Sequence, residues 1–81
     1  MKIQVQLFAA ARDAAGQSPV ELDLEAESTV AQLRQQIVKT VPGLASISRS
    51  LLIAVNSEYA SNEIVLTESD EVACFPPVSG G

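Results

Sequence analysis

Histidine is absent from all 81 residues. Without it the chain has no Ser-His-Asp or Cys-His catalytic arrangement and no imidazole with which to hold a metal. Cysteine occurs once, as Cys74, which excludes an internal disulfide, a CxxC redox pair and a cysteine zinc site. The four glycines stand at 16, 43, 80 and 81 and match neither the P-loop nor the dinucleotide-binding spacing. Any ATP used with this chain is therefore expected on another protein. Basic residues are scarce, five against ten acidic ones for a net charge of -5, so nucleic acid and anionic membrane are poor partners and a basic protein surface is a better one. No apolar run approaches the ~20 residues that span a bilayer. The opening MKIQVQLF alternates instead of running apolar, unlike a signal peptide. With a single thiol, a reducing cytoplasm is the expected compartment.

What is present suits a small globular domain: 47% of residues are hydrophobic and 19% charged. A chain of this length buries on the order of 60% of its unfolded surface, too little to enclose a large active-site cleft. Ile3, Val5 and Leu7 alternate with Lys2, Gln4 and Gln6, the period of a strand with one wet face. The alanines of Ala9 to Pro19 favour a short helical turn that breaks at Gly16 and Pro19. Val20, Leu22 and Leu24 then alternate again as a second strand. From Val30 the period changes: Leu33, Ile37 and Val41 follow at helical spacing, Thr29 with Gln32 reads as a capping box, and Pro42-Gly43 stops the helix. Arg34, Gln35, Gln36 and Lys39 are expected to face water.

Leu44 to Ser50 reads as a loop or one helical turn. The nearly continuous apolar run LLIAVN is expected to form a central strand covered on both faces. A short strand around Glu58 to Ala60 would pair with it across Asn56-Ser57, and Glu68 to Asp70 would turn the chain into a last strand, Glu71 to Phe75. The fold class is therefore α+β: one mixed sheet of about five strands packed on one main helix. Residues 1–75 form the domain and 76–81 a projecting tail.

Three groups of side chains could carry chemistry or contacts. Glu25 with Glu27, and Glu68, Asp70 and Glu71, lie beside turns and strand ends, where a solvated acidic rim is the simplest reading. Cys74 shares the parity of Val72 and should point into the core as a small hydrophobe, a thiol nucleophile being the alternative. The aromatics are more informative. Phe8 and Phe75 have the opposite parity to their strands' core residues, so both should leave the helix-covered face, and Tyr59 could stand on the same open face. An exposed apolar patch of this kind suggests a partner surface. Alternatively the strands bend at their ends and the rings tuck under loops.

The tail, Pro76 to Gly81, joins two opposite properties. Pro76-Pro77 favours polyproline II, so six residues reach roughly 19 Å at ~3.1 Å per residue. Ser79-Gly80-Gly81 is slender, and glycine can thread a channel too narrow for other residues. The Gly81 α-carboxylate, with an ordinary pKa of ~3.5, is ionised and a poor electrophile at neutral pH until it is activated, for instance as an acyl adenylate.

At this point the sequence resembles a known family. LFAAARDAAG, LLIAVN and above all LTESDEVACFPPVSGG are similar to the ubiquitin-like β-grasp sulfur carriers, and within them to the small subunits of molybdopterin synthase. The resemblance implies that Gly81 is adenylated by a ubiquitin-activating-like adenylyltransferase using ATP and Mg. A sulfur donor enzyme then converts it to a thiocarboxylate, Gly80 threading the channel behind it. It further implies a heterotetramer with the large subunit of molybdopterin synthase, docked through Phe8, Tyr59 and Phe75 with Pro76, Pro77, Val78 and Ser79 leading into the partner's active site. There the thiocarboxylate would give sulfur to cyclic pyranopterin monophosphate in molybdenum cofactor biosynthesis. On this reading the chain is not catalytic alone, and it binds no cofactor or metal. It departs from the family in two places: Cys74 stands where a second aromatic is frequent, and Tyr59 where an aliphatic residue is. Other readings are a carrier for a thiazole-type pathway, a ubiquitin-like protein modifier joined to lysine, and an interaction domain with an idle tail.

Overall fold

A computed structural model describes residues 1–76. Alternation at the start of the chain becomes β1 (Lys2–Leu7), with Ile3, Val5 and Leu7 buried and the residues between them exposed. Helix α1 (Ala9–Ala15) follows and ends at Gly16, whose φ of 74° is the left-handed cap that glycine adopts without a Cβ penalty. Strand β2 (Val20–Asp23) pairs antiparallel with β1. Helix α2 (Val30–Thr40) is opened by a capping box closed in both directions: the Thr29 hydroxyl accepts from the Gln32 amide, and the Gln32 side chain accepts from the Thr29 amide at 2.8 Å. A 3-10 turn at Pro42–Leu44 follows. Strands β3 (Leu52–Val55), β4 (Glu58–Tyr59) and β5 (Val72–Phe75) complete a five-stranded sheet in the order β2-β1-β5-β3-β4.

The last strand thus lies in the middle of the sheet, parallel to β1 and antiparallel to β3. Helix α2 lies over one face, burying Val30, Leu33 and Ile37 with Ile3, Val5, Leu7, Ile53, Val72 and Cys74 in one core. The α+β architecture, a mixed sheet against a main helix, is the β-grasp arrangement expected from the sequence. The tail residues Pro77, Val78, Ser79, Gly80 and Gly81, and with them the expected boundary of a projecting segment, lie outside the described residues.

Two expectations are corrected. Strand β3 is interior but neither central nor covered on both faces: Ile53 is buried against the helix layer, while Leu52 on the opposite face is 39% exposed. The run is apolar because its outer face belongs to a patch described below. Arg34 does not simply face water. Its Nη1 donates to the carbonyls of Ser48 at 2.9 Å and Leu51 at 2.6 Å, and its Nε donates to Asn62 Oδ1 at 2.8 Å, so it ties the turn after Leu44 and the loop after β4 to α2. Gln36 is also half-buried.

Candidate functional site

The face of the sheet away from α2 carries an apolar patch whose layout follows from the strand registers. Leu7 pairs with Cys74, and Phe8 extends the ladder by donating its amide to the Cys74 carbonyl at 3.2 Å. One residue on, each chain switches face, so Phe8 and Phe75 come together on the open side. Their rings stack with centroids 4.8 Å apart and planes 7° from parallel. An aromatic pair of this kind contributes about 0.5–1.5 kcal/mol beyond its buried area. Leu52 pairs with Phe75 and extends the row.

The neighbouring cross-strand row is Gln6, Ala73, Ala54 and Tyr59. Because Ala73 and Ala54 are small, this row is low, and a groove of about 450 Å³ forms over them, lined by Phe8 and Phe75 of the neighbouring row and by Tyr59 at the end of this one. Tyr59 is 75% exposed and meets Phe75 edge-on at 6.5 Å and 78°. Glu71 and Gln6 supply polar margins.

Tyr59 is held in place by the turn that precedes it. Asn56 and Ser57 both have positive φ, 53° and 71°, the two-residue geometry whose twist suits a tight hairpin. Asn56 then fixes that turn to the last loop: its Nδ2 donates to Asp70 Oδ1 at 2.9 Å, and its Oδ1 accepts from the Glu71 amide at 2.9 Å. Asp70 Oδ2 accepts from the Thr67 amide at 2.8 Å. That backbone bond first, and the Asn56 side chain second, hold the Asp70 carboxyl below the ordinary carboxylate range. A depressed folded-state pKa stabilises the fold above the unfolded pKa, and the gain is lost as pH falls through the folded value. Asp70→Asn is therefore expected to lower stability by up to about 1 kcal/mol near neutrality. The gap from wild type should shrink below about pH 4 in thermal unfolding across an acid series; a gap independent of pH would show that the charge contributes nothing.

Cys74 lies on the other side of the sheet, fully buried against the helix layer. Burial pushes its thiol up to about 12, against a smaller opposing pull from Arg34. It is thus protonated at neutral pH and a poor nucleophile. A thiol-specific disulfide reagent is expected to label it only on unfolding, and Cys74→Ala to cost about 1 kcal/mol through a small cavity. Labelling of the native protein at the rate of the unfolded chain would contradict this assignment.

Of the residues singled out in the sequence, Phe8, Tyr59 and Phe75 thus meet in one patch, and Pro76 follows Phe75 directly, half-buried. Leu52, Ala54 and Ala73 complete the patch and are not among them; Ala73 shares the parity of Phe75, which is the signal that could have found it. Among the described residues no cluster of His, Cys, Asp or Glu could hold a metal ion, and no helix is long and apolar enough to cross a membrane.

Comparison with known proteins places this geometry in a family. Residues 5–81 match the ThiS family. A molybdopterin synthase sulfur carrier subunit from Arabidopsis thaliana is 32% identical over 81 residues, covering all of this chain and 84% of the relative. The one from Chlamydomonas reinhardtii is 35% identical over 83 residues and both full lengths. Among solved structures, small archaeal modifier protein 1 from Haloferax volcanii superposes with a TM-score of 0.86 at 30% identity, with both chains fully covered. The chain belongs to the ThiS family, the ubiquitin-like β-grasp sulfur carriers.

Proposed function

We propose that this chain is the sulfur carrier subunit of molybdopterin synthase. The observation that carries the reading is its similarity, along its whole length, to proteins of that name in Arabidopsis thaliana and Chlamydomonas reinhardtii. The local geometry supports it in two ways. Strand β5 brings the chain out of the middle of the sheet at Phe75 and Pro76, so a tail continuing from there starts beside the aromatic groove. The groove is apolar with an acidic margin at Glu71, a surface suited to a partner with apolar side chains and a basic rim.

In the proposed reaction the Gly81 carboxylate attacks the α-phosphorus of ATP on a separate adenylyltransferase, forming an acyl adenylate and releasing pyrophosphate. Magnesium on that enzyme would offset the phosphate charge. Hydrosulfide supplied by a donor enzyme then attacks the acyl carbon and displaces AMP, leaving a thiocarboxylate. Docked through Phe8, Tyr59 and Phe75 on the large subunit, the carrier inserts the segment Pro76 to Gly81, and Gly80 lets the chain pass a narrow channel. The thiocarboxylate sulfur attacks a carbon of cyclic pyranopterin monophosphate and displaces an oxygen leaving group there, giving a thioester. Water then hydrolyses the acyl–sulfur bond, leaving the sulfur on the pterin and returning the Gly81 carboxylate, and two such deliveries build the dithiolene. In this scheme the carrier positions and donates sulfur, while its partners activate and catalyse, in a heterotetramer of two small and two large subunits.

Reconstitution tests the reading. With an adenylyltransferase, ATP, a sulfur donor, the large subunit and pyranopterin substrate, dithiolene is expected only when this chain is present. Equal product with the chain omitted would refute it. A second reading, protein modification through Gly81, is favoured by the likeness to small archaeal modifier protein 1. Ladders of lysine conjugates on immunoblots, abolished by loss of Gly81, would select it.

A further inference from the structure

On the helix-covered side of the molecule lies a second groove, of about 540 Å³, between α2 and the turn that follows Leu44. Arg34, Lys39 and Arg49 line it, together with the small apolar side chains of Ala31 and Val38, and no acidic residue does. Three of the chain's five cations are therefore gathered along a groove whose own lining holds no acid, in a protein of net charge -5, with Asp23 and Glu25 in the adjoining hollow that Lys39 also borders. Of the other two, Lys2 is spent on Glu21 at 3.8 Å and Arg12 lies on α1. None of the three groove cations forms an ion pair among the described residues, where the salt bridges are Met1–Asp23 and Lys2–Glu21.

We propose that this groove docks an acidic, apolar-bearing peptide segment of a partner protein. Charge selects the occupant: a surface this concentrated in positive charge attracts carboxylates at a range where the rest of the molecule repels them. Geometry selects a chain over a small anion. The Arg34 Nε and Nη1 groups are committed to Asn62, Ser48 and Leu51, so Arg34 offers a fixed charge in the groove wall more than an open two-pronged fork. The strip of Ala31 and Val38 beside it gives alternate apolar side chains a place to rest. A nucleic acid fits less well, since the net charge opposes a polyanion and the groove offers no aromatic ring on which a base could stack. Because α2 and the aromatic patch are on opposite faces of the sheet, both surfaces can be engaged at once. The proposal does not depend on sulfur chemistry at Gly81.

The test is an NMR titration of the full chain with an acetylated, amidated hexapeptide alternating Glu and Leu, set against its Gln and Leu counterpart. The acidic peptide is expected to produce saturable shifts at the amides of Ala31, Val38, Ser48 and Asn62, weakening as salt is raised. The double variant Lys39→Glu, Arg49→Glu should weaken binding roughly tenfold or more. Both side chains are exposed, and the neutral pair Lys39→Gln, Arg49→Gln serves as a milder version should the reversal disturb folding. Equal response to both peptides, shifts centred on Phe8, Tyr59 and Phe75, or no saturable shift would overturn the proposal. Tighter binding of a single-stranded oligonucleotide at the same amides would overturn it too, in favour of a polyanion site.

Discussion

Deletion of Gly81 is expected to abolish dithiolene formation while leaving the thermal unfolding transition unchanged. In the proposed mechanism the reacting atom is carried at the very end of the tail, and every residue before it sets its reach. Removing one residue leaves an intact carboxylate on Gly80 but draws it back by about 3 Å, the rise of one extended residue. Misplacement on the order of 1 Å already costs ~100-fold in a positioned reaction, so the shortened carrier should be inert at the assay's limit. Adding one alanine after Gly81 should be as damaging for a different reason: the carbonyl to be activated becomes an amide, and a methyl group would have to enter the channel that the proposed mechanism sizes for glycine. If the extended chain supports dithiolene formation without being trimmed, Gly81 is not the reacting residue.

Phe75→Ala is expected to weaken association with the large subunit by about 2 kcal/mol or more, roughly 30-fold in Kd. Phe75 is the ring that both other aromatics touch, stacked on Phe8 and met edge-on by Tyr59, so its loss also frees its neighbours. Its side chain stands outside the buried core, which Cys74 and Val72 supply from the same strand. The variant should therefore keep a cooperative thermal transition. Titration calorimetry against the large subunit reads the first effect and a melting curve the second. Loss of the cooperative transition with Phe75→Ala would make Phe75 a structural residue and remove the reason for assigning docking to this face.

The parts of this architecture that could be read from the sequence are those where one periodicity decides one face. Lys2 to Leu7 alternates cleanly because one face is wet, and Val30 to Ile37 carries its stripe because only one side of α2 meets the sheet. The same alternation sends Phe8 and Phe75 to the open face, and the Asn56-Ser57 pair identifies the hairpin that carries Tyr59. Where the pattern is silent the reading goes astray. Leu51 to Val55 is apolar on both faces for two different reasons, core on one side and exposed patch on the other, and sequence alone cannot separate them. Ala54 and Ala73 matter for being small, which only the cross-strand register reveals. Arg34 is spaced like a solvent-facing helix residue, yet its partners lie 14 to 28 residues along the chain, beyond any local signal.

The most direct test of a sulfur carrier is the mass of its C-terminal peptide after incubation with the adenylyltransferase, ATP and a sulfur donor. The expected result is a gain equal to one sulfur atom replacing one oxygen, confined to the fragment ending in Gly81, dependent on ATP, and unchanged in Cys74→Ala. An unshifted terminal peptide, or sulfur found on Cys74 instead, would contradict it.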